Sequence, residues 1–290
     1  LDLPPDASRQ EQCVESAVAL TQGWLREAEF RREAYWRDAA IGSHDAWMNH
    51  APEYRRRFWE EIIGKLPPAV VGAGTHSRLV SRREAFAVYE VMLGVWDDVF
   101  AYGILLLPND LQAGEKRPVV VCQHGLEGTP EDVYEPTDSE PAYHCYAARL
   151  AERGFIVYAP QNPYKGGDAF RSLQRKLNPL GYTLFSVIVR QHEVALEWLR
   201  SLACVDQERI AFYGISYGGK TAMRVPAILE GYCLSICSAD YNEWIWKNAS
   251  SQHGYSYLFT GEYEMPEFDL GNTFNYAEMA RLIYPRPFMV

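Results

Sequence analysis

No stretch of about 18 consecutive apolar residues occurs in the 290 residues, so no segment reads as a membrane-spanning helix. Basic side chains are in the minority: 28 Lys and Arg stand against 38 Asp and Glu, a net charge of −10. That balance excludes nucleic acid as the main partner, because phosphate binding rests on Lys and Arg. The six cysteines, at 13, 122, 145, 204, 233 and 237, contain no Cys-x-x-Cys pair. They offer no metal-ligand spacing and read as buried free thiols. Internal repeats and low-complexity tracts are absent, and 48% hydrophobic with 23% charged residues excludes a disordered chain. Leu1-Asp2-Leu3-Pro4-Pro5 has neither an initiator Met nor a signal-peptide pattern, so something upstream is expected to have been removed. Aromatic residues, in contrast, are abundant: 8 Trp, 19 Tyr and 12 Phe. They build cores first and also line acyl and carbohydrate pockets.

The length suits one large domain with an attached segment. Apolar residues at Val14, Ala17, Val18, Trp24, Leu25 and Ala28 predict a helix over about 8–38. A second helix is predicted from Pro52, which suits a first turn, to Leu66, just before Pro67-Pro68. Segments 78–93 and 97–107 alternate in polarity and read as antiparallel strands. Pro118–Cys122 is a continuous apolar run, the mark of a strand covered on both faces. Strands at 155–160, 209–214, 233–237 and 287–290 then alternate with helices at 142–153, 183–202 and 217–229. This alternation predicts an α/β fold with a mostly parallel, doubly wound sheet, preceded by antiparallel strands. The expected division is an N-terminal helical extension, 1–76, and an α/β domain, 77–290, with a cap-like aromatic insertion at 241–280.

The strongest chemical signal is Gly214-Ile215-Ser216-Tyr217-Gly218-Gly219. It follows an apolar strand and opens a helix, the setting a nucleophile elbow requires. The turn is so tight that side chains two residues either side of the serine would collide. It lifts the Ser216 hydroxyl to a helix N-terminus, where backbone N–H groups and the dipole favour an oxyanion. A second signal, His124-Gly125-Leu126-Glu127-Gly128, directly follows the strand ending at Cys122. Acyl transfer needs two donors facing the attacked carbonyl, and the N–H groups of Leu126 and Tyr217 are assigned to that oxyanion hole. His124, which a reader could take for a catalytic base, is expected to brace its loop by hydrogen bonds.

Residues from about 78 to 290 resemble the α/β-hydrolase superfamily, specifically its dienelactone hydrolase-like, acetyl xylan esterase-like and prolyl oligopeptidase-like group. The carrying stretches are VVVCQHGLEG, LAERGFIVYAPQNP, ALEWLRSLACVDQERIAFYGISYGGKTA and YPRPFMV. The resemblance implies hydrolysis, with ester bonds first. Dienelactone hydrolases use a Cys nucleophile, whereas this chain has Ser216. Lys220 resembles the Lys that glucuronoyl esterases carry after the nucleophile, near a sugar hydroxyl. Those enzymes have Arg directly after the Ser, where this chain has Tyr217, and an exposed helix residue is the alternative for Lys220.

The family order of the triad is Ser, acid, His. The family pattern puts the His after the last strand, and this sequence stops one strand earlier. The resemblance therefore implies a base beyond Val290, with a non-catalytic relative as the alternative. His253 is the one His after Ser216. Asp240, directly after the strand ending near Cys237, matches a family variant of the acid position; a carboxylate beyond Val290 is the other candidate for the acid, and a helix N-cap is the alternative role for Asp240. Site walls are expected from 161–182 and 241–280, with Tyr164 and Trp244 among the substrate-binding residues. The overall expectation is a carboxylic ester hydrolase acting on a small-molecule or carbohydrate ester, acylated or uronate-bearing, with no cofactor, no metal and no membrane partner. A serine peptidase of prolyl oligopeptidase type and a non-catalytic binding protein on the same scaffold are the alternatives.

Overall fold

In a computed structural model of the chain, residues 6–39, 42–70, 74–137, 140–262 and 267–290 are described. Contacts gather the chain into two compact units, Leu1–Glu53 with Asn242–Glu278, and Tyr54–Tyr241 with Met279–Val290. The expected extension 1–76 is thus shared between them at Glu53.

The first unit is helical. α1 (Asp6–Tyr35) packs its C-terminal half on the segment that the sequence marks as an insertion. Trp36 Nε1 donates to Thr273 O at 2.6 Å, and Gln22 Nε2 to Ala249 O at 2.9 Å. The Trp36 ring stacks on Trp47 and meets Phe274 edge-on. α2 (His44–Arg57) starts eight residues before Pro52, directly after Ser43, whose hydroxyl accepts from Ala46 N–H. Pro52 stands inside the helix and not at its start; the short cap Ser43 is the signal for the true beginning. Within the second unit, a π-helical turn, Phe58–Ile63, follows the end of α2, and its last carbonyl accepts from the hydroxyls of Thr183 and Ser186.

The second unit is built on one eight-stranded sheet of order β1-β2-β3-β5-β4-β6-β7-β8. β1 (Thr75–Arg82), β2 (Phe86–Trp96) and β3 (Val99–Pro108) are antiparallel. The segment 78–93 is therefore two strands and not one: Arg83 N–H bonds to Phe86 O across a tight charged turn that alternation does not reveal. β4 (Arg117–Gln123), β5 (Ile156–Gln161), β6 (Val205–Ile215), β7 (Leu234–Ser238) and β8 (Phe288–Met289) run parallel. Val119–Cys122 and Ile156–Ala159 are buried throughout, as strands covered on both faces require.

Between the strands run α3 (Pro130–Tyr134), α4 (Glu140–Tyr143), α5 (Tyr146–Ala151), α6 (Asp168–Leu177), α7 (Leu184–Ser201) and α8 (Tyr217–Ile228). The expected helix 142–153 is broken at His144 and Cys145, both left-handed with φ of 50° and 48°. His enters this region more readily than most residue types, but Cys does not, and no Gly or Asn marks the break. All six thiols are free; Cys122 and Cys237 are buried, while Cys13 is exposed and the other three are half-buried. The chain steps from β4 outward to β5 and then back across to β6, so a crevice opens at the carboxyl ends of β4 and β6.

Candidate active site

Ser216 stands between β6 and α8 with φ 59° and ψ −120°, a conformation that side-chain-bearing residues avoid. Its backbone is pinned from both sides. Ser216 N–H donates to Ser238 O at 2.9 Å, and Ser216 O accepts from Lys220 N–H at 3.1 Å. The motif's glycines are demanded by contact. A Cβ on Gly214 would lie 1.9 Å from Gly218 O, and one on Gly218 would lie 2.4 Å from Gln123 O. The helix α8 that follows is buried along its whole length, whereas Ser216 itself is exposed. Its hydroxyl makes no hydrogen bond among the described residues. The result is an accessible hydroxyl at the positive end of a 12-residue helix.

The loop after β4 lies against this turn. The Cβ position that Gly125 leaves empty is 3.2 Å from Ser216 Cβ. Leu126 is half-buried, and its N–H has no hydrogen-bond partner among the described residues. His124 is fully buried behind the loop, and both ring nitrogens are engaged. Asn162 N–H donates to Nε2 at 3.2 Å, which leaves Nδ1–H to donate to Gly125 O at 2.8 Å. The side chain of Asn162 carries the network onward. Its Oδ1 accepts from His192 Nε2 at 3.1 Å and its amide donates to Thr221 in α8. Thr221 in turn donates to Tyr217 O. One connected set of bonds therefore ties the β4 loop, β5 and the first turns of α8. Sequence reasoning missed Asn162 and His192, because no spacing links them to the serine motif.

Burial lowers the pKa of His124 to about 4 and that of His192 to about 3, against an ordinary 6.5. Both are therefore neutral in the folded protein at pH 7. Their unfolded forms bind a proton near pH 6.5 and the folded forms do not, so stability is full above that pH and falls as pH drops toward 4. Two such groups are together worth several kcal/mol. Thermal melts are expected to show a falling midpoint from about pH 6.5 to 5, above the range in which ordinary carboxylates titrate. A midpoint flat across that window would contradict the buried neutral pair.

Asp240 lies two residues past β7, whose register sets Ile215 beside Ser238. Ala239 between them is left-handed, with φ 60°. That strained step turns Asp240 toward α8: its Cβ is 2.9 Å from the Cβ position of Gly219. Asp240 is buried, and the neighbouring Cys237 thiol is pushed up to about 12, chiefly by its own burial. That thiol stays protonated and is no competing nucleophile.

Other residues stand differently from their sequence reading. Tyr164, expected on a site wall, is fully buried. Its ring packs on Tyr217 at 4.5 Å and its hydroxyl donates to His124 O at 2.6 Å, so it braces the loop from within. Lys220 is neither solvent-exposed nor open to a sugar: it is 1% exposed, with its ammonium 4.6 Å from the Tyr217 ring centre. The same ammonium lies 5.9 Å from the Phe185 ring centre, so the side chain runs into the packing between α7 and α8. Trp244 belongs to the helical unit, where it is buried, stacks on Tyr276 and borders a cavity of about 620 Å³ formed by that unit's own residues. His253 is in the same unit and stacks on Tyr255. Glu127, exposed in the β4 loop, accepts from the N–H groups of Gly166 and Gly167 at 2.6 Å each and fixes the loop before α6. No group of three or more metal-ligating side chains occurs among the described residues.

No protein-family model matches this sequence. Solved structures do match. A putative acetyl xylan esterase from Bacteroides fragilis superposes with a TM-score of 0.70 at 16% identity, over 84% of this chain and 67% of that one. A glucuronoyl esterase from Solibacter usitatus gives 0.60 at 15% identity, over 86% and 75%. Acetyl xylan esterase 1 from a Thermoanaerobacterium species gives 0.52 at 16%, over 80% and 75%. The chain thus spans about two thirds to three quarters of the lengths of these proteins. Such likenesses speak for the fold: the chain has the α/β-hydrolase fold, as its sequence resemblance implies.

Proposed function

We propose that the protein is a serine-dependent carboxylic ester hydrolase acting on carbohydrate esters. The observation that carries the reading is Ser216: exposed, held in a strained turn at the N-terminus of α8, with a hydroxyl engaged by no described residue. In this reading Ser216 Oγ attacks the acyl carbon as a base takes its proton. The N–H groups of Leu126 and Tyr217 receive the negative oxygen of the tetrahedral intermediate. Collapse expels the alcohol and leaves an acyl group on Ser216; water then attacks the same carbon and the acid departs. Asp240 is the carboxylate that orients the base. His124 and His192 are not given the base's role, because their ring nitrogens are engaged inside the fold. The names of the structural neighbours support a sugar-borne ester, acetyl or uronate, as the substrate class.

The test is a substrate panel: an acetylated xylo-oligosaccharide, a methyl glucuronate ester, p-nitrophenyl acetate and a peptide anilide. The reading expects turnover of p-nitrophenyl acetate and of one of the two sugar esters, and none of the anilide. Preferential cleavage of the anilide would favour the peptidase reading, and no turnover at all a binding role.

A further inference from the structure

A phenol stands beside Ser216 that no motif announces. Tyr143 ends α4 and belongs to the buried cluster that also holds Val120, Val133 and Ala147. Only 8% of the residue is exposed. Its hydroxyl oxygen accepts from Gly125 N–H at 2.6 Å, the residue immediately before Leu126. The position matters more than the bond. The Cβ site that Gly125 leaves empty is 2.8 Å from the Tyr143 hydroxyl and 3.2 Å from Ser216 Cβ, so phenol and nucleophile flank one small space. A methyl group there would fill it. The glycine holds that space open between them.

The hydrogen-bond balance of the phenol is incomplete. A tyrosine hydroxyl accepts and also donates. Gly125 N–H meets its acceptor capacity, but its own proton meets no acceptor among the described residues. A buried donor left without a partner is costly, and in native structures it calls for an explanation. The backbone around it is under tension as well, with His144 and Cys145 both left-handed directly after the tyrosine. Such strain persists where the surroundings fix a side chain in place.

We propose that the Tyr143 hydroxyl is a third donor to the oxyanion formed at Ser216, alongside the N–H groups of Leu126 and Tyr217. Gly125 N–H fixes the oxygen and so aims the proton away from the loop, toward the space shared with Ser216. When the acyl oxygen becomes negative, the phenol supplies a hydrogen bond that the ground-state carbonyl takes up only weakly, and the gain appears in kcat. Burial raises the phenol's pKa, so it stays a donor through neutral pH. No proton is transferred and no further reactant is needed.

This assignment rests on the ester-hydrolase reading of Ser216, and the test separates the two. Steady-state hydrolysis of p-nitrophenyl acetate is measured for the full chain, Ser216→Ala, Tyr143→Phe and a chain carrying 3-fluorotyrosine at position 143. Tyr143→Phe keeps the ring and is expected to lower kcat about 100-fold with KM within about twofold, in a protein that stays folded at the assay temperature, its melting temperature lowered by the loss of the bond from Gly125 N–H. Fluorination makes the phenol a stronger donor and a weaker acceptor. It should raise kcat at a pH below the phenol's titration if the proton meets the oxyanion, and lower it if the oxygen merely holds Gly125. A Tyr143→Phe kcat near the wild-type value, or a fall on fluorination, overturns the assignment and leaves Ser216 untouched. Absence of wild-type turnover, or turnover surviving in Ser216→Ala, overturns the Ser216 reading and the assignment with it.

Discussion

Ser216→Ala is expected to lower ester turnover about ten-thousand-fold or more, to the level that binding and the oxyanion donors alone sustain. The same change should leave the melting temperature unaltered, because the side chain is exposed and its hydroxyl bonds to no described residue. The left-handed backbone at position 216 costs Ala no more than Ser, and the bonds pinning the turn are backbone bonds to Ser238 and Lys220. The contrast between a large kinetic loss and no loss of stability separates a nucleophile from a structural residue. A variant that keeps more than about a tenth of wild-type turnover would remove Ser216 from the chemistry.

Gly214→Ala is the second large effect, and it works through the backbone. The added methyl would meet Gly218 O at 1.9 Å and Gly218 C at 2.3 Å. Both atoms belong to the first turn of α8, itself packed to the end of β4, where Gly218 lies against Gln123 O. Relief therefore means dismantling the elbow. A loss of roughly 3–5 kcal/mol in stability is expected, with turnover falling to that of Ser216→Ala. Gly254→Ala is the control, since its Cβ would meet nothing within 4 Å. Chemical denaturation of both variants checks the pair. Equal stabilities would contradict the contact account of the motif.

The parts of the fold that were legible in the sequence are those whose physics is local. Val119–Cys122 and Ile156–Ala159 announce themselves because a strand covered on both faces must be apolar at every position. The Gly-x-Ser-x-Gly turn shows because two of its neighbours can carry no side chain. What stayed hidden depends on partners far along the chain. Tyr143 is 18 residues from the glycine it accepts from and carries no motif. Asn162 looks like an ordinary strand-end residue until His124 and His192 are seen on either side of it. Tyr164, Lys220 and Trp244 have the chemistry of binding residues, and only burial shows that they are packed away. The association of α1 with 242–278 rests on contacts such as Gln22 with Ala249, 227 residues apart, which no periodicity encodes.

The central claim is that Ser216 is an activated nucleophile, and covalent trapping tests it most directly. The folded chain is treated with a fluorophosphonate probe, and intact mass and peptide mapping read the product, with Ser216→Ala in parallel. The account predicts one adduct, on the peptide containing Ser216, and none in the variant. An adduct on another residue, or no adduct on a folded chain, would contradict it.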